Sequence, residues 1–213
     1  IDKVMAGPEK KSRIISDEEK ENTAYHEVGH ALLAKLLKNT DPLHKVSIIP
    51  RGMALGITMT LPEKDHLTMK KSQILDNITM ILGGRVAEEI VYGKDAITTG
   101  ASNDLEKVTA LARNMVTKYG MSDKMGNMAY GKDEQHIFMG RDFGMRRDFS
   151  EEVAAEIDKE VKKIVDERYA IAKELLTTNR DMLEAISKEL LDKETLDEKE
   201  FMELMDKIKS ERA

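Results

Sequence analysis

TAYHEVGHALLAKLL occupies residues 23–37 and is the most informative stretch of the chain. It contains the pattern His-x-x-x-His with an acid inside, formed by His26, Glu27 and His30. The alanines and leucines around the pattern favour a helix, and no proline interrupts them. On a helix, residues four apart leave the same face about one turn from each other. Two neutral imidazole nitrogens placed in this way can hold one zinc ion, and Glu27 can then act as a general base on an attacking water.

The start and the end of this helix are also encoded nearby. Ser16 and Glu19 form a capping-box pattern, and the early acidic residues suit the positive end of the helix dipole. The sequence Asn-Thr-Asp-Pro at residues 39–42 is typical of a turn and predicts the end of the helix. The motif therefore lies in the middle of one long helix, where we expect it to be shielded from bulk water. The alternative interpretation is an accidental pair of packed or surface histidines.

The composition narrows the classes of function. The chain has 213 residues, which is enough to bury a sizeable core. Its net charge is −6, and its 34 basic residues are interspersed with 40 acidic ones, which argues against a nucleic-acid partner. Cysteine is absent, so disulfides and cysteine-ligated zinc are excluded. No apolar run approaches the ~18 residues of a membrane span.

Three segments are expected along the chain. Residues 1–15 begin without an initiator methionine and contain a Gly-Pro break, so we interpret them as a linker that follows another part of a longer protein. Residues 16–149 form the core, which includes a glycine-containing loop at about 120–149 that we expect to be mobile. Residues 150–213 add further helices to the same domain, and the last of these helices has a capping box at 195–198.

A β-hairpin is predicted after the motif helix. Apolar and polar side chains alternate within residues 45–48 and 55–61, and a Pro-Arg-Gly turn lies between them. The main role of the hairpin is expected to be structural, but its open edge can also bind an extended peptide. Gly56, Ile57 and Thr58 are therefore candidates for substrate binding.

Two more helices are expected in the core. The first spans about 69–91 and has Gly83 and Gly84 inside it. Each interior glycine costs about 1 kcal/mol relative to alanine, so we expect another backbone to pass close by. The second helix begins with Ser102 or Asn103 as its cap.

A catalytic zinc needs a third protein ligand, and three carboxylates are candidates. Asp104 lies in the first turn of its helix, where its ordinary role is to stabilise the helix dipole. Glu88 and Glu89 follow the glycine pair, and their ordinary role is a solvated acidic face. A metzincin would need glycine and histidine where this chain has Leu33 and Leu36, and the region of a thermolysin-like glutamate falls in the hairpin.

Four motifs in the same order resemble the peptidase domain of the FtsH-type, membrane-anchored AAA zinc metalloproteases of bacteria and organelles. They are HEVGH at 26–30, SIIPRG at 47–52, LGGRVAEE at 82–89 and TTGASNDL at 98–105. The match covers nearly the whole chain. The resemblance implies one zinc ion per chain on His26, His30 and Asp104, with Glu27 as the base. It also implies a zinc metalloendopeptidase that degrades unfolded cytoplasmic and membrane proteins.

The resemblance implies a longer protein as well. Residues 1–15 would then contain the tail of an ATPase domain that unfolds substrates, and membrane-spanning segments would precede that domain. The full protein would be a homo-hexamer in the bacterial inner membrane, with this domain facing the cytoplasm. We expect ATP to be used by the ATPase domain and not by this chain, because residues 126–133 lack the final serine or threonine of a phosphate-binding loop.

The residues themselves also favour Asp104 as the third ligand. It leaves the helix start towards the preceding loop, and its short side chain loses little rotamer freedom when it holds a metal. Glu88 and Glu89 are better placed to accept the second ring N–H of a ligating histidine. The sequence thus predicts a mainly α zinc-metallopeptidase domain with a small β-hairpin or sheet near the active site and a C-terminal helical bundle. The alternative is a helical oligomerisation or scaffold domain whose metal is structural or absent.

Overall fold

The computed structural model describes residues 15–52, 54–62, 67–131 and 149–212. The helices are α1 (Asp17–Leu36), α2 (Lys71–Ile81), α3 (Gly83–Tyr92), α4 (Ser102–Thr117), α5 (Glu151–Thr178), α6 (Arg180–Lys193) and α7 (Glu198–Arg212). The strands are β1 (Leu43–Ser47), β2 (Ile57–Thr60) and β3 (Thr195–Asp197). The predicted mainly α fold with a small sheet is confirmed.

Helix α1 forms where it was predicted and lies at the centre of the fold. The Glu19 N–H donates to Ser16 Oγ at 3.2 Å, and the Ser16 N–H donates to the Glu19 carboxylate at 3.3 Å, so the capping box is confirmed. Residues 27–34 are buried without interruption. They are enclosed because α1 packs against α2, α3, α5 and α6 and against β1 and β2.

The predicted second helix is broken in two, while the predicted close backbone contact is confirmed. Leu82 has ψ of −14°, which departs from the helical value near −42° and separates α2 from α3. A Cβ on Gly83 would lie 2.6 Å from the carbonyl oxygen of Gly29, and a Cβ on Gly84 would lie 2.4 Å from Cε1 of His26. Glycine is therefore required at both positions, and it lets α3 lie directly over the histidine motif.

The predicted hairpin is confirmed as part of an antiparallel sheet with strand order β2-β1-β3. Val46 of β1 lies opposite Thr58 of β2. In the connection between these strands, Arg51 and Ala54 exchange backbone hydrogen bonds, and Gly52 adopts φ of 58°. Within the described part of the chain, β2 pairs with β1 alone, so its second edge is open.

The C-terminal part returns to the sheet, whereas the sequence predicted only helices there. Leu196 of β3 lies opposite Val46 of β1, and both side chains are fully buried. The capping box predicted at 195–198 is wrong by two residues, because the chain before α7 is extended to bury this leucine. Asp197 Oδ1 instead accepts the Glu200 N–H at 2.9 Å, and the Glu200 carboxylate accepts the Asp197 N–H at 3.2 Å.

Helix α4 starts at the predicted place, but neither Ser102 nor Asn103 caps it. The chain enters α4 through a tight turn at Thr99–Ala101, which is capped by the side chain of Thr98. The side-chain cap is therefore made one turn earlier than predicted, where the Thr98 hydroxyl accepts the Gly100 N–H.

Some predictions concern residues that are not described. The linker and ATPase tail predicted at 1–15 fall almost entirely on residues 1–14, and most of the loop predicted at about 120–149 falls on residues 132–148. Within the helices that are described, none is long and apolar enough to span a membrane.

Candidate metal centre

Helices α1 and α4 bring three side chains together at a cleft. The Nε2 atoms of His26 and His30 lie 3.1 Å apart, and Asp104 Oδ2 lies 3.2 Å from each of them. Ligand atoms bound to a tetrahedral zinc at 2.0–2.1 Å lie about 3.3 Å from one another. The three atoms therefore have the spacing of one face of such a site. Among the described residues, no other group of acids and histidines is placed in this way.

Two further contacts orient the histidine rings. His26 Nδ1 lies 2.8 Å from Glu88 Oε1, and His30 Nδ1 lies 2.9 Å from the carbonyl oxygen of Met80. A proton on each Nδ1 satisfies both contacts and leaves both Nε2 lone pairs directed at the common site. The second Glu88 oxygen accepts hydrogen bonds from the N–H and the hydroxyl of Thr98, at 2.8 and 3.2 Å. Glu88 thus joins the histidine helix to the loop that leads into α4.

Glu89 points away from the site and towards α5, so the prediction that it supports a ligating histidine is wrong. Its carboxylate accepts hydrogen bonds from the Tyr169 hydroxyl and, at 2.9 Å, from Lys173 Nζ, both on α5. Successive residues on a helix point about 100° apart, so only one of two neighbouring glutamates can face the site. Glu88 takes that position and is 1% exposed.

The charges at the site depend strongly on one another. Burial disfavours the protonated form of His26, but hydrogen bonds with Asp104 and Glu88 outweigh it and raise the pKa of His26 to about 10. Burial also disfavours the charged form of Asp104, yet its hydrogen bonds with the two histidines hold the pKa of Asp104 far below its ordinary range. The arrangement favours a positive charge between the carboxylates, and a metal cation supplies it as well as a proton does.

Glu27 lies in the wall of the same cleft and is 8% exposed. The hydroxyl oxygen of Thr58 lies 2.7 Å from Glu27 Oε2 and 2.9 Å from the Glu27 carbonyl oxygen. A Cβ on Gly56 would lie 2.7 Å from Glu27 Cγ. The three residues predicted to bind substrate, Gly56, Ile57 and Thr58, line the cleft. The contact between β2 and Glu27 was not predicted, because no local sequence pattern indicates it.

Comparison with known proteins identifies the family. The family model described as Peptidase family M41 matches residues 13–204. The chain belongs to this family. The resemblance inferred from the four sequence motifs is thereby confirmed.

Several relatives of this M41 chain share about half of its residues. The ATP-dependent zinc metalloprotease FtsH of Rubrobacter xylanophilus is 50% identical over 206 residues, which cover 97% of this chain and 31% of that protein. The ATP-dependent zinc metalloprotease FtsH 1 of Thermoanaerobacter sp. is 53% identical over 94% of this chain and 33% of its own length. FtsH 2 of Alkaliphilus metalliredigens is 54% identical over 94% of this chain and 29% of its own length. The chain spans about a third of the length of the curated relatives it matches.

The cleft of this M41 domain has a volume of about 830 Å³. It is lined by residues of α1, of β2 and of the loop before α4, and the two histidines and Asp104 are among them. Arg51 and Lys107 also line it and were not predicted as site residues, because nothing in the sequence pattern assigned a role at the site to either side chain. A cleft of this size falls within the range that proteins use for ligands.

Proposed function

We propose that the chain is the zinc-dependent endopeptidase part of a longer ATP-dependent protease. The observation that carries the proposal is the triangle of two imidazole nitrogens and one carboxylate oxygen, with sides of 3.1–3.2 Å. This donor set suits zinc, and three protein ligands leave a position for a reacting group. The hydrogen bonds of the rings with Glu88 and the Met80 carbonyl support it further, because ligating histidines are held in this way. The names of the relatives, ATP-dependent zinc metalloprotease, agree with the donor set.

The chemistry divides between the ion and the residues of the chain. A bound zinc ion would act as a Lewis acid on the peptide carbonyl and on the attacking water. His26, His30 and Asp104 would hold the ion, and Glu88 orients the ring of His26. Glu27 accepts a proton from the attacking water and gives it to the leaving amine nitrogen as the C–N bond breaks. Because α1 is enclosed, bulk water has little access to this base.

The alternative, a scaffold domain with a structural metal or none, does not explain Glu27. A structural zinc site needs four ligands and no base, whereas here a carboxylate lies in the cleft wall beside a set of three candidate ligands. The experiment that separates the two functions is metal analysis of the purified chain combined with casein cleavage. We expect one zinc per chain and cleavage that a chelator abolishes and added zinc restores. Bound zinc without casein cleavage would favour the scaffold.

We further propose that unfolded substrates bind as an extra strand beside β2. One edge of this strand is unpaired in the described part of the chain, and Gly56, Ile57 and Thr58 line the cleft. Main-chain hydrogen bonds to an extended peptide do not depend on particular side chains, so cleavage should be only loosely sequence-specific.

Backbone N-methylation of a peptide substrate tests this binding mode. Alternate amides of an added strand face β2, while the others face away. We expect methylation of one alternate set to raise KM strongly and methylation of the other set to leave KM almost unchanged. An equal effect of both sets would contradict strand addition.

The greater length of the relatives supports proposals about the whole protein. We propose that a separate ATPase domain uses ATP to unfold substrates, that the protein forms a homo-hexamer, and that a membrane anchor holds it at the bacterial inner membrane with this domain facing the cytoplasm. Its substrates would be unfolded cytoplasmic and membrane proteins, and nucleic acid would have no role. Expression of the full-length protein, followed by membrane fractionation and measurement of its mass, tests the anchor and the hexamer.

A further inference from the structure

We propose that Thr58 is a positioning residue whose hydroxyl fixes the carboxylate of Glu27 for general-base catalysis. The inference rests on the proposed peptidase function and deepens it. Its effect is to join the base to β2, the strand that we propose binds the substrate.

The first observation is the contact itself. Thr58 Oγ lies 2.7 Å from Glu27 Oε2, which is within the range of a charge-assisted hydrogen bond from a hydroxyl to a carboxylate. The same hydroxyl lies 2.9 Å from the Glu27 carbonyl oxygen. A hydroxyl has one proton, and the charged carboxylate is the stronger acceptor. One hydroxyl of β2 therefore lies within hydrogen-bond distance of both the carboxylate and the backbone carbonyl of Glu27, and this carbonyl belongs to the buried part of α1.

The second observation is the backbone that leads into β2 beside Glu27. Gly56 immediately precedes this strand and faces the same side chain. A Cβ at this position would lie 2.7 Å from Glu27 Cγ and 2.8 Å from Glu27 Oε1. The position of the Glu27 side chain therefore requires a residue without a Cβ at Gly56, and a hydrogen bond from Thr58 holds its carboxylate. Only 8% of Glu27 is exposed, which further restricts its rotamers.

These contacts matter because a glutamate side chain is long and loses rotamer freedom when it is ordered. A general base must lie within hydrogen-bond reach of the proton that it removes, and a displacement of 1 Å can cost about 100-fold in rate. A hydrogen bond to Oε2 leaves Oε1 to exchange the proton. Because Thr58 belongs to the strand proposed to hold the peptide, one element then sets the distance between the base and the scissile bond.

Two substitutions at Thr58 separate its hydroxyl from its shape. Thr58→Val keeps the β-branched side chain and removes the donor, while Thr58→Ser keeps the donor. We expect Thr58→Val to lower kcat by roughly ten- to hundredfold, with KM and zinc stoichiometry unchanged. We expect Thr58→Ser to retain most of the wild-type kcat. A rise in KM alone, or a loss of zinc in Thr58→Val, would overturn the positioning role.

Thr195→Val is a matched control. It removes a strand hydroxyl from the opposite edge of the same sheet, where Thr195 Oγ lies 2.7 Å from Ser47 Oγ. This hydroxyl is remote from the cleft, so we expect wild-type kcat. A loss equal to that of Thr58→Val would show that any missing hydroxyl in the sheet has the same effect, and would overturn the proposal.

A double-mutant cycle with Glu27→Ala tests the contact in two ways. In residual peptide hydrolysis, Thr58→Val should cause no further loss once Glu27 is replaced. In urea unfolding with a chelator present, the midpoint shifts of Thr58→Val and Glu27→Ala should not add. Additive effects in both measurements would overturn the proposal. An inactive zinc-loaded wild-type chain would contradict the peptidase function itself, whereas an active wild type with unchanged kcat in Thr58→Val would contradict only this role.

Discussion

Helices α1 and α5 are both long, but one is enclosed and the other lies at the surface. In α1, residues 27–34 are buried without interruption, because other elements surround it. The buried residues of α5 follow one face, namely Ile157, Glu160, Val161, Ala172 and Leu176. The polar side chains on the other face of α5 are solvated, whereas those buried in α1 need partners inside the protein.

This difference shows why the candidate site lies on α1. A buried polar side chain without a hydrogen bond costs about 1–3 kcal/mol, and the contacts of Glu27 with Thr58 and of His30 with the Met80 carbonyl avoid this cost. Similar substitutions should therefore have large effects around α1 and small effects on α5. The following predictions test this contrast.

The largest effect is expected for Glu27→Gln. The amide keeps the size of the side chain but cannot accept the proton, so peptide hydrolysis should fall by about 10²–10⁴-fold while zinc is retained. Glu167→Gln is the matched control, since Glu167 is exposed on α5 and should tolerate the change. Assays of casein cleavage and zinc content on both variants decide this. Near-normal turnover of Glu27→Gln would disprove its role as the base.

The second prediction compares the three acids that were candidates for holding zinc or supporting its ligands. Asp104→Asn should lose stoichiometric zinc and all proteolysis, because a neutral amide replaces an anionic ligand. Glu88→Gln should weaken zinc binding by about 10–100-fold, because it loosens the ring of His26. Glu89→Gln should leave zinc affinity unchanged, since Glu89 contacts Tyr169 and Lys173 instead. Zinc titration of the three variants measures their zinc affinities. Full zinc occupancy in Asp104→Asn would refute the assignment of Asp104 as a ligand.

The third prediction concerns the contact between α1 and α3. Helix propensity alone predicts that Gly83→Ala stabilises α3 by up to about 1 kcal/mol. The added Cβ would lie 2.6 Å from the Gly29 carbonyl oxygen, so we expect instead a destabilisation of about 1–3 kcal/mol or more. Urea unfolding of the wild type and the variant shows directly whether the substitution raises or lowers the free energy of unfolding. A stabilised variant would mean that the two helices separate at little cost.

The fourth prediction is a pH dependence that zinc removes. The pKa of His26 is raised from 6.5 to about 10, so this group stabilises the fold fully below pH 6.5, and the stability is lost as the pH rises through 10. The pKa of Asp104 is lowered from 3.8, so its contribution is present above pH 3.8 and is lost as the pH falls below that value.

The chelator-treated chain should therefore be most stable between pH 3.8 and 6.5 and should lose stability from pH 6.5 to 10. Zinc takes the place of the proton, so the zinc-loaded chain should not show this alkaline decline. Urea unfolding at several pH values, with chelator or with zinc, makes the comparison. Parallel declines in both forms would show that His26 does not cause the loss.

The smallest effect is expected on α5. Lys162 and Asp166 form an ion pair one turn apart, with side chains 74% and 62% exposed. Solvent screens such a pair, so Asp166→Asn should change the free energy of unfolding by less than about 0.5 kcal/mol. Urea unfolding of the wild type and Asp166→Asn measures this difference in the free energy of unfolding. A loss comparable to that of Gly83→Ala would remove the contrast between the two helices.

The sequence by itself determined those features that depend on neighbouring residues. The capping box at Ser16 and Glu19, the helix that follows it and the shared face of His26 and His30 all arise within a few turns of one helix. Helical geometry relates such residues at fixed spacing, so their arrangement needs no knowledge of the rest of the chain. The alternation that predicted β2 is equally local.

Only the tertiary structure decided which distant residues meet. Asp104 lies 78 residues after His26, and packing of the intervening helices brings them within 3.2 Å. The choice of Glu88 over Glu89 depends on how α3 is rotated against α1, and β3 joins the sheet because Leu196 is buried against β1. The bond from Thr58 to Glu27 likewise depends on how the sheet lies against α1. Contacts of this kind depend on the positions of whole elements, which short-range patterns in the chain do not encode.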